Sequence, residues 1–501
     1  MRTSLSEKEK YLFETAPVPK AVATLVIPTI VSQLITIVYN LADTFFVGRL
    51  GDETMVAAIT LCLPIFMLLT ATANLFGIGG ASVMSRALGA GDGDKARRAA
   101  SFAIWGSMIA AAVVAVVFAA FETPLLTAFG AEGMRLEYAG DYLMYTVIGG
   151  AIPTVLSSVL AHLVRAEGKA AHAGIGLSLG GLLNVALDPL FIFDQGLGMG
   201  VSGAALATLL SNIASAVYFA AVVLSSKNSV VTFRRVKGAF GRAVSLNVLS
   251  IGLPACMMSL MTTCSNLTVN YLMAAYGDAA IAGIGVAKRI NMASFAITQG
   301  ITQGTLPLIG YNFSAGNSRR MRGTVVFMTA CTLGFALISL TVSLCIPEQL
   351  IRAFIDDDPS VEYGARFLRI ICYAVVSAAI GFVAMTVFQA TGKKVRATVL
   401  SVLRKGGLDI PLMFILDPIF PATGIAMATP IADYTAAFVA IVLLVHFFST
   451  QRKRADLFPS AAPSDTAENP IRIRKTKNNK SPRISATICR KNTISSSDQL
   501  P

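Results

Sequence analysis

A set of short motifs occurs twice in this chain, displaced by close to half of its apolar length. Pro28, Asn40 and Gly51-Asp52 recur as Pro254, Asn266 and Gly277-Asp278, a shift of about 226 residues. Ala90-Gly91-Asp92 with Arg97 recurs as Ala315-Gly316-Asn317 with Arg322. Gly168-Lys169 recurs as Gly392-Lys393, and the run 203–208 (GAALAT) as 424–429 (GIAMAT). One structural plan used twice restricts the fold to two similar halves. In a long apolar chain, two such halves point to a secondary transporter with its site between them.

The repeats are embedded in apolar sequence. The 501 residues are 54% hydrophobic and only 14% charged, with a mean hydropathy of +0.66, whereas soluble domains are about one quarter charged. Twelve apolar runs fall near 21–46, 55–80, 99–121, 140–163, 172–193, 202–224, 246–273, 280–308, 323–345, 364–389, 395–417 and 423–448. Each is near the ~20 residues that a helix needs to cross a bilayer. The runs do not alternate in polarity, which excludes a membrane barrel. The expected fold is therefore an all-α polytopic membrane protein with twelve transmembrane helices in two six-helix lobes.

Loop charges orient the chain. Bases collect after the even-numbered spans: Arg86, Lys95, Arg97 and Arg98; Arg165 and Lys169; Lys227, Arg234, Arg235, Lys237 and Arg242; Arg319, Arg320 and Arg322; Lys393, Lys394 and Arg396. The opposite loops carry Glu122, Glu132, Glu137, Asp278, Glu348 and Asp356-Asp357-Asp358. The positive-inside rule then predicts both termini in the cytoplasm of a cell (inner or plasma) membrane protein. Six spans per half is an even number, so both halves enter with one orientation. A pseudo-two-fold axis along the membrane normal follows.

The expected divisions are an N-terminal segment over 1–20, an N-terminal lobe over 21–224, a basic linker over 225–245, a C-terminal lobe over 246–450 and a disordered basic tail over 451–501. The tail's bases could meet anionic lipid. The net charge of +13 lies in short loops and this tail, and no basic, aromatic-rich soluble domain is present to read bases, so nucleic acid is not an expected partner. The polar N-terminus has no signal-peptide pattern. The seven cysteines form no CxxC or Cys/His cluster, so neither a structural metal nor a cofactor is expected.

Ionisable residues inside apolar runs carry the functional signal. Asp43 sits before Phe45-Phe46-Val47 in the first run. A carboxylate at bilayer depth costs about 2.5–3.5 kcal/mol, and such acids mark ion or proton pathways. Asn184 and Asp188 are one helical turn apart, which puts amide and carboxylate on one face. Together they can hold a proton or a hard cation through oxygen, and Pro189 frees a carbonyl nearby. By the repeat offset, Val269 lies opposite Asp43, and Leu408 and Leu412 lie opposite Asn184 and Asp188. Ion handling is therefore expected in the N-terminal half. Lys288-Arg289, and Asp409 with Arg404-Lys405, are either internal charge pairs and cavity elements or snorkelling side chains. His162 and His172 are expected at the interface.

Five motifs in order carry a family resemblance. They are Pro28 with the run 40–51 (NLADTFFVGRLG); Gly77 through Asp92 (GIGGAS, then SRALGAGD); Arg165-Ala-Glu-Gly-Lys169; Asn184-Val-Ala-Leu-Asp-Pro189; and the run 199–208 (MGVSGAALAT). Over about residues 15–450 the chain resembles the MATE (multidrug and toxic compound extrusion) family. The resemblance implies twelve helices in two lobes and drug export by cation antiport. Carried over by position, it implies cation binding at Asp43, Asn184 and Asp188, with Thr208 a weaker match, and a bending role for Pro28. The seventh-span glutamate of sodium-coupled relatives is not matched, since that region reads Pro254-Ala-Cys-Met-Met258.

The expected protein is thus a monomeric secondary active multidrug exporter. It would exchange H⁺ or Na⁺ for amphiphilic, cationic small molecules by rocking between two openings. The alternative within the same architecture is a flippase for a lipid-linked saccharide, which needs a more cationic chamber; Lys288 and Arg289 favour it. A membrane prenyl transferase would need acid-rich Mg²⁺ motifs, and the only acid run is the short outer loop at 356–358. No enzyme is expected.

Overall fold

The duplicated motifs are the turns of the fold. Gly91 and Gly316 adopt φ of +73° and +77°, Gly168 and Gly392 +91° and +73°, and Gly51 and Gly277 +73° and +90°. Left-handed backbone at a helix end favours glycine. After the first pair, Asp92 and Asn317 cap the next helix, accepting from the Lys95 and Arg320 amides. Equal punctuation at equal places builds the two halves alike.

The computed structural model describes residues 5–226 and 229–457. Twelve spans follow a short helical segment at Glu7–Lys10 and Tyr11–Thr15. They are α1 (Val18–Gly48), α2 (Glu53–Gly89), α3 (Gly93–Ala128), α4 (Met134–Ile148 with Ala151–Ala166), α5 (Ala170–Ile192), α6 (Gly200–Ser225), α7 (Arg242–Met273), α8 (Asp278–Ser314), α9 (Ser318–Cys345), α10 (Asp358–Ile371 with Ala374–Ala390), α11 (Lys394–Leu416) and α12 (Thr423–Leu457). Nine described helices are individually long and apolar enough to cross a membrane, and the bent pairs of α4 and α10 add two. The twelfth, α11, is broken by a π-helical turn at Val402–Gly407 that carries the buried Arg404 and Lys405. The break into short segments is what makes it unlike the others, and π-turns of this kind gather at functional sites.

The lobes meet through α1, α2, α7 and α8. Glycines permit the approach: an added Cβ on Gly300 would lie 3.1 Å from the Ile30 Cα, one on Gly304 would lie 3.0 Å from the Val26 Cα, and Gly79 and Gly252 abut the carbonyls of Val248 and Leu75. Asn74 donates to Ser259 at 3.0 Å, Gln33 to Gln299 at 3.3 Å, and Ser82 to the Gln389 carbonyl at 2.5 Å. These contacts run from the middle of the helices to the end nearest the basic loops, so the lobes are clasped over that half.

The segment before α1 reinforces the clasp. Phe13 is fully buried and stacks on Tyr311 with ring centroids 4.9 Å apart. Arg320 donates to the Phe13 and Leu12 carbonyls at 2.8 and 2.9 Å, while Asn312 also donates to the Phe13 carbonyl. On the N-terminal lobe, Glu9 lies 3.9 Å from the Lys169 ammonium, and Phe13 packs on Gly168. The basic linker is pinned to the same lobe: Glu167 accepts from Ser229, Val230 and Val231, and Trp105 donates to the Phe233 carbonyl.

One expectation needs correction. The last helix runs to Leu457, so 451–457 is helical where a disordered tail was expected; the rest of that tail, with Cys489, lies outside the described residues. His162 lies one turn before the end of α4, where it packs on Gly77 with a ring nitrogen 3.5 Å from Arg165. His172 is exposed and pairs with Tyr218.

Candidate functional site

Small residues bring α5 against α1. A Cβ on Gly174 would meet Pro28, and one on Gly181 would lie 2.9 Å from Ile35 and 3.3 Å from Tyr39. Two turns beyond Gly181 along α5, this packing faces Asp188 toward the stretch of α1 that carries Tyr39 and Asp43. The two carboxylates lie within electrostatic reach of each other and of the Tyr39 and Tyr142 hydroxyls. Asp188 is 0% and Asn184 2% exposed. The Asn184 amide donates to Asp188 and to Thr208 of α6, both at 3.3 Å. Asp43, Asn184, Asp188 and Thr208 thus converge from three helices.

The site is rich in acceptors. Asp43 Oδ1, Asn184 Oδ1 and Asp188 Oδ2 are buried oxygens with no hydrogen-bond donor among the described residues. Buried polar atoms are normally satisfied, and leaving one unsatisfied costs about 1–3 kcal/mol, more for a charged group. Oxygens grouped this way suit a proton or a hard cation such as Na⁺.

One helical turn toward the end opposite the basic loops, the same three helices turn apolar. Val47, Ile192 and Ala204 follow Asp43, Asp188 and Thr208 and form a buried cluster with Phe46, Leu50, Ile59 and Phe193 around it. Asn184 and Asp188 are thereby covered on that face, while Asp43 stays partly exposed. A separate cleft of about 700 Å³, lined by Gly48, Asp52, Val56, Thr60 and Arg135 among others, includes none of the four polar residues.

Pro28 lies inside an α1 that remains one continuous helix, between α5 on one side and Gly300 and Gly304 of α8 on the other. The remaining charged residues separate. Arg289 is exposed, and Lys288 donates to Asn266 at 2.9 Å. Arg404 pairs with Asp433 at 2.6 Å, an acid that sequence reasoning missed, and lies over the Phe382 ring. Lys405, not Arg404, is the partner of Asp409, at 3.3 Å.

The assignment of Leu408 and Leu412 opposite Asn184 and Asp188 is also overturned. The shift of about 224 residues that relates Gly168 to Gly392 shrinks to about 221 by Gly203 and Gly424. With the shorter shift, Lys405, Asp409 and Thr429 are the counterparts of Asn184, Asp188 and Thr208. The hydrogen bonds agree, since Asp409 is held by Lys405 and Thr429. Equal spacing from each acid to the following Gly-x-Ala-x-Ala-Thr run was the readable signal. The acid run 356–358 is consumed locally: Asp357 caps α10 through Ser360, which holds its carboxyl below the usual range, and Asp358 pairs with Arg352.

Two homologous six-helix lobes with a buried polar site beside their interface define a polytopic membrane transporter, not an enzyme. The MatE family model matches residues 28–190 and 254–415, one stretch in each lobe. The multidrug export protein MepA of Staphylococcus haemolyticus is 31% identical over 440 residues, which is 88% of this chain and 96% of that protein. MepA of Staphylococcus aureus is 31% identical over 441 residues, with the same coverage. An outward-facing multidrug resistance MATE family transporter of the MOP superfamily superposes with a TM-score of 0.83 at 24% identity, covering 90% of this chain and all of the other. A MOP superfamily transporter from Pyrococcus furiosus, described as having a binding pocket of reversed polarity, gives 0.81 at 24% identity, covering 91% and 100%. The chain belongs to the MatE family.

Proposed function

We propose that this protein is a secondary active multidrug exporter that moves amphiphilic, cationic small molecules out of the cell in exchange for H⁺ or Na⁺. The supporting observation is the trio of buried acceptor oxygens on Asp43, Asn184 and Asp188. Two carboxylates in one low-dielectric site repel strongly unless a cation or proton joins them. Entry of that cation at Asp43 and Asp188, steadied by Asn184 and Thr208, relieves the repulsion. The relief favours bending of α1 at Pro28, narrows the N-terminal half of the chamber and expels the drug. The lobes then rock, releasing the cation on the other side. In this reading both termini are cytoplasmic, the protein works as a monomer in the cell membrane, and the clasp at the basic-loop end marks the outward-facing state.

The flippase reading rests on Lys288 and Arg289 as cations of the chamber wall. Lys288 is held by the neutral Asn266 and Arg289 is exposed, while Lys405 and Arg404 are matched by Asp409 and Asp433; the export reading rests on the N-terminal acids. The test is gradient-driven transport of a fluorescent organic cation by proteoliposomes, with H⁺ and Na⁺ gradients imposed in turn. Asp43→Asn and Asp188→Asn are expected to abolish gradient-driven export while the protein stays folded. Full export by both variants would overturn the proposal.

A further inference from the structure

The C-terminal lobe holds a second acid site built on the same plan, and its acid already has a counter-charge. Asp409 is fully buried. Its Oδ2 accepts from Ser265 at 2.7 Å and from the Lys405 ammonium at 3.3 Å, and its Oδ1 accepts from Thr429 at 2.9 Å. The elements match those of the other lobe: an i, i+4 pair on the fifth helix of the half, a threonine on the sixth, and a polar residue on the first. The apolar cover matches too. One turn on from Ser265, Asp409 and Thr429 lie Val269, Met413 and Ile425, all buried in one cluster. The lobes differ at two positions. The C-terminal lobe has Val269 in the place of Asp43, so it holds one acid and not two, and where the N-terminal lobe has the neutral Asn184 it has Lys405. Accordingly the N-terminal site keeps buried oxygens without donors, whereas both Asp409 oxygens are satisfied. Lys288, the other base near this site, is held by Asn266.

We propose that Lys405 is a built-in counter-cation: its ammonium holds, in the C-terminal lobe, the place that a transported monovalent cation takes in the N-terminal lobe. Asp409 is then a latent cation site that is permanently neutralised. A gradient acts on one lobe only, although the architecture is duplicated, and the number of cations exchanged per cycle is set by residue 405. An ammonium is a compact point charge comparable to the ion it replaces, and its tether makes it undissociable.

The proposal rests on the N-terminal cation reading, and the experiment separates the two. Full-length protein in detergent is titrated with Na⁺ by calorimetry and with H⁺ by a pH indicator. Lys405→Asn, which recreates the Asn/Asp/Thr set, is expected to take up one more monovalent cation per molecule than the wild type. The gain is expected to vanish in Lys405→Asn/Asp409→Asn and to persist on an Asp43→Asn/Asp188→Asn background. If the wild type binds none but Lys405→Asn binds one, the N-terminal reading fails and only the assignment of Lys405 as the counter-charge that closes the Asp409 site stands. Unchanged stoichiometry in a monodisperse Lys405→Asn protein overturns it. Should that variant not fold, the reciprocal Asn184→Lys decides: it is expected to remove cation uptake at the N-terminal site, and retained uptake overturns the proposal.

Discussion

Gly174 of α5 lies directly against the carbonyl of Pro28 in α1: a Cβ at 174 would sit 2.7 Å from that oxygen and 2.9 Å from the proline's own Cβ. Proline deprives α1 of one internal hydrogen bond, and at that weak point glycines from both lobes close in. Gly174→Ala must push backbone aside, because the obstructing atoms are not a flexible side-chain tip. Overpacking of this kind costs about 1–3 kcal/mol. The expected outcome is a lower melting temperature in detergent together with slowed export. Gly300→Ala, with contacts no shorter than 3.1 Å, should cost less. Equal melting of Gly174→Ala and wild type would show that the approach is loose.

Thr208 reaches the site only through the Asn184 amide. Removing its hydroxyl in Thr208→Val loses about 1 kcal/mol of hydrogen bonding, or roughly a fivefold change in equilibrium. The cation concentration giving half-maximal transport should rise by about that factor, with the maximal rate little altered. Thr208→Ser should stay near wild type. A Val variant with unshifted half-saturation would remove Thr208 from the site.

Arg320 ties the N-terminal segment to α9 by two bonds to main-chain carbonyls, and the same segment touches Lys169 and Gly168 across the interface. Arg320→Ala should release the segment and shift the population toward opening at the basic-loop end. Spin labels on cysteines placed at the exposed Asp94 and Ser318 are expected to report a longer mean distance than in the parent. An unchanged distance distribution would mean that the segment is passive.

The Arg404–Asp433 pair is buried on both sides, with Arg404 5% and Asp433 1% exposed. Removing one partner strands a charge and costs about 3–5 kcal/mol, whereas replacing both with apolar residues is close to neutral. Asp433→Asn and Arg404→Met should each lower thermal stability sharply. The double variant Arg404→Met/Asp433→Leu should recover most of it. The number of cations bound per molecule is expected to stay unchanged in the double variant, because the pair lies outside both acid sites. Failure of the double variant to recover would assign the pair a role beyond charge balance.

Much of this was legible in the chain itself. Apolar run lengths and loop charges report on water and lipid, which act on each segment separately, so the helices and their number could be counted without knowing their packing. The repeated Gly91/Gly316 and Asp92/Asn317 turns are equally local, since backbone conformation and capping depend on neighbours in sequence. Asp43, Asn184 and Asp188 stood out because an ionisable group in an apolar run is costly wherever it ends up. Charge partners are a different matter. Adjacent Arg404 and Lys405 point to different acids, on α12 and α11, because successive helical residues face different directions, and only the packing of neighbouring helices decides what each one meets. Asp433 lay unnoticed among apolar residues, and a three-residue shortening hid Asp409 as the counterpart of Asp188. Local free energies therefore determined which segments cross the membrane and where they turn. Only the packing of α5 on α1, and of α11 between α7 and α12, decided which oxygens gather without a donor and which acid receives an ammonium. Those outcomes depend on distances between residues far apart in the chain, and electrostatic interaction in a low-dielectric interior is set by such distances.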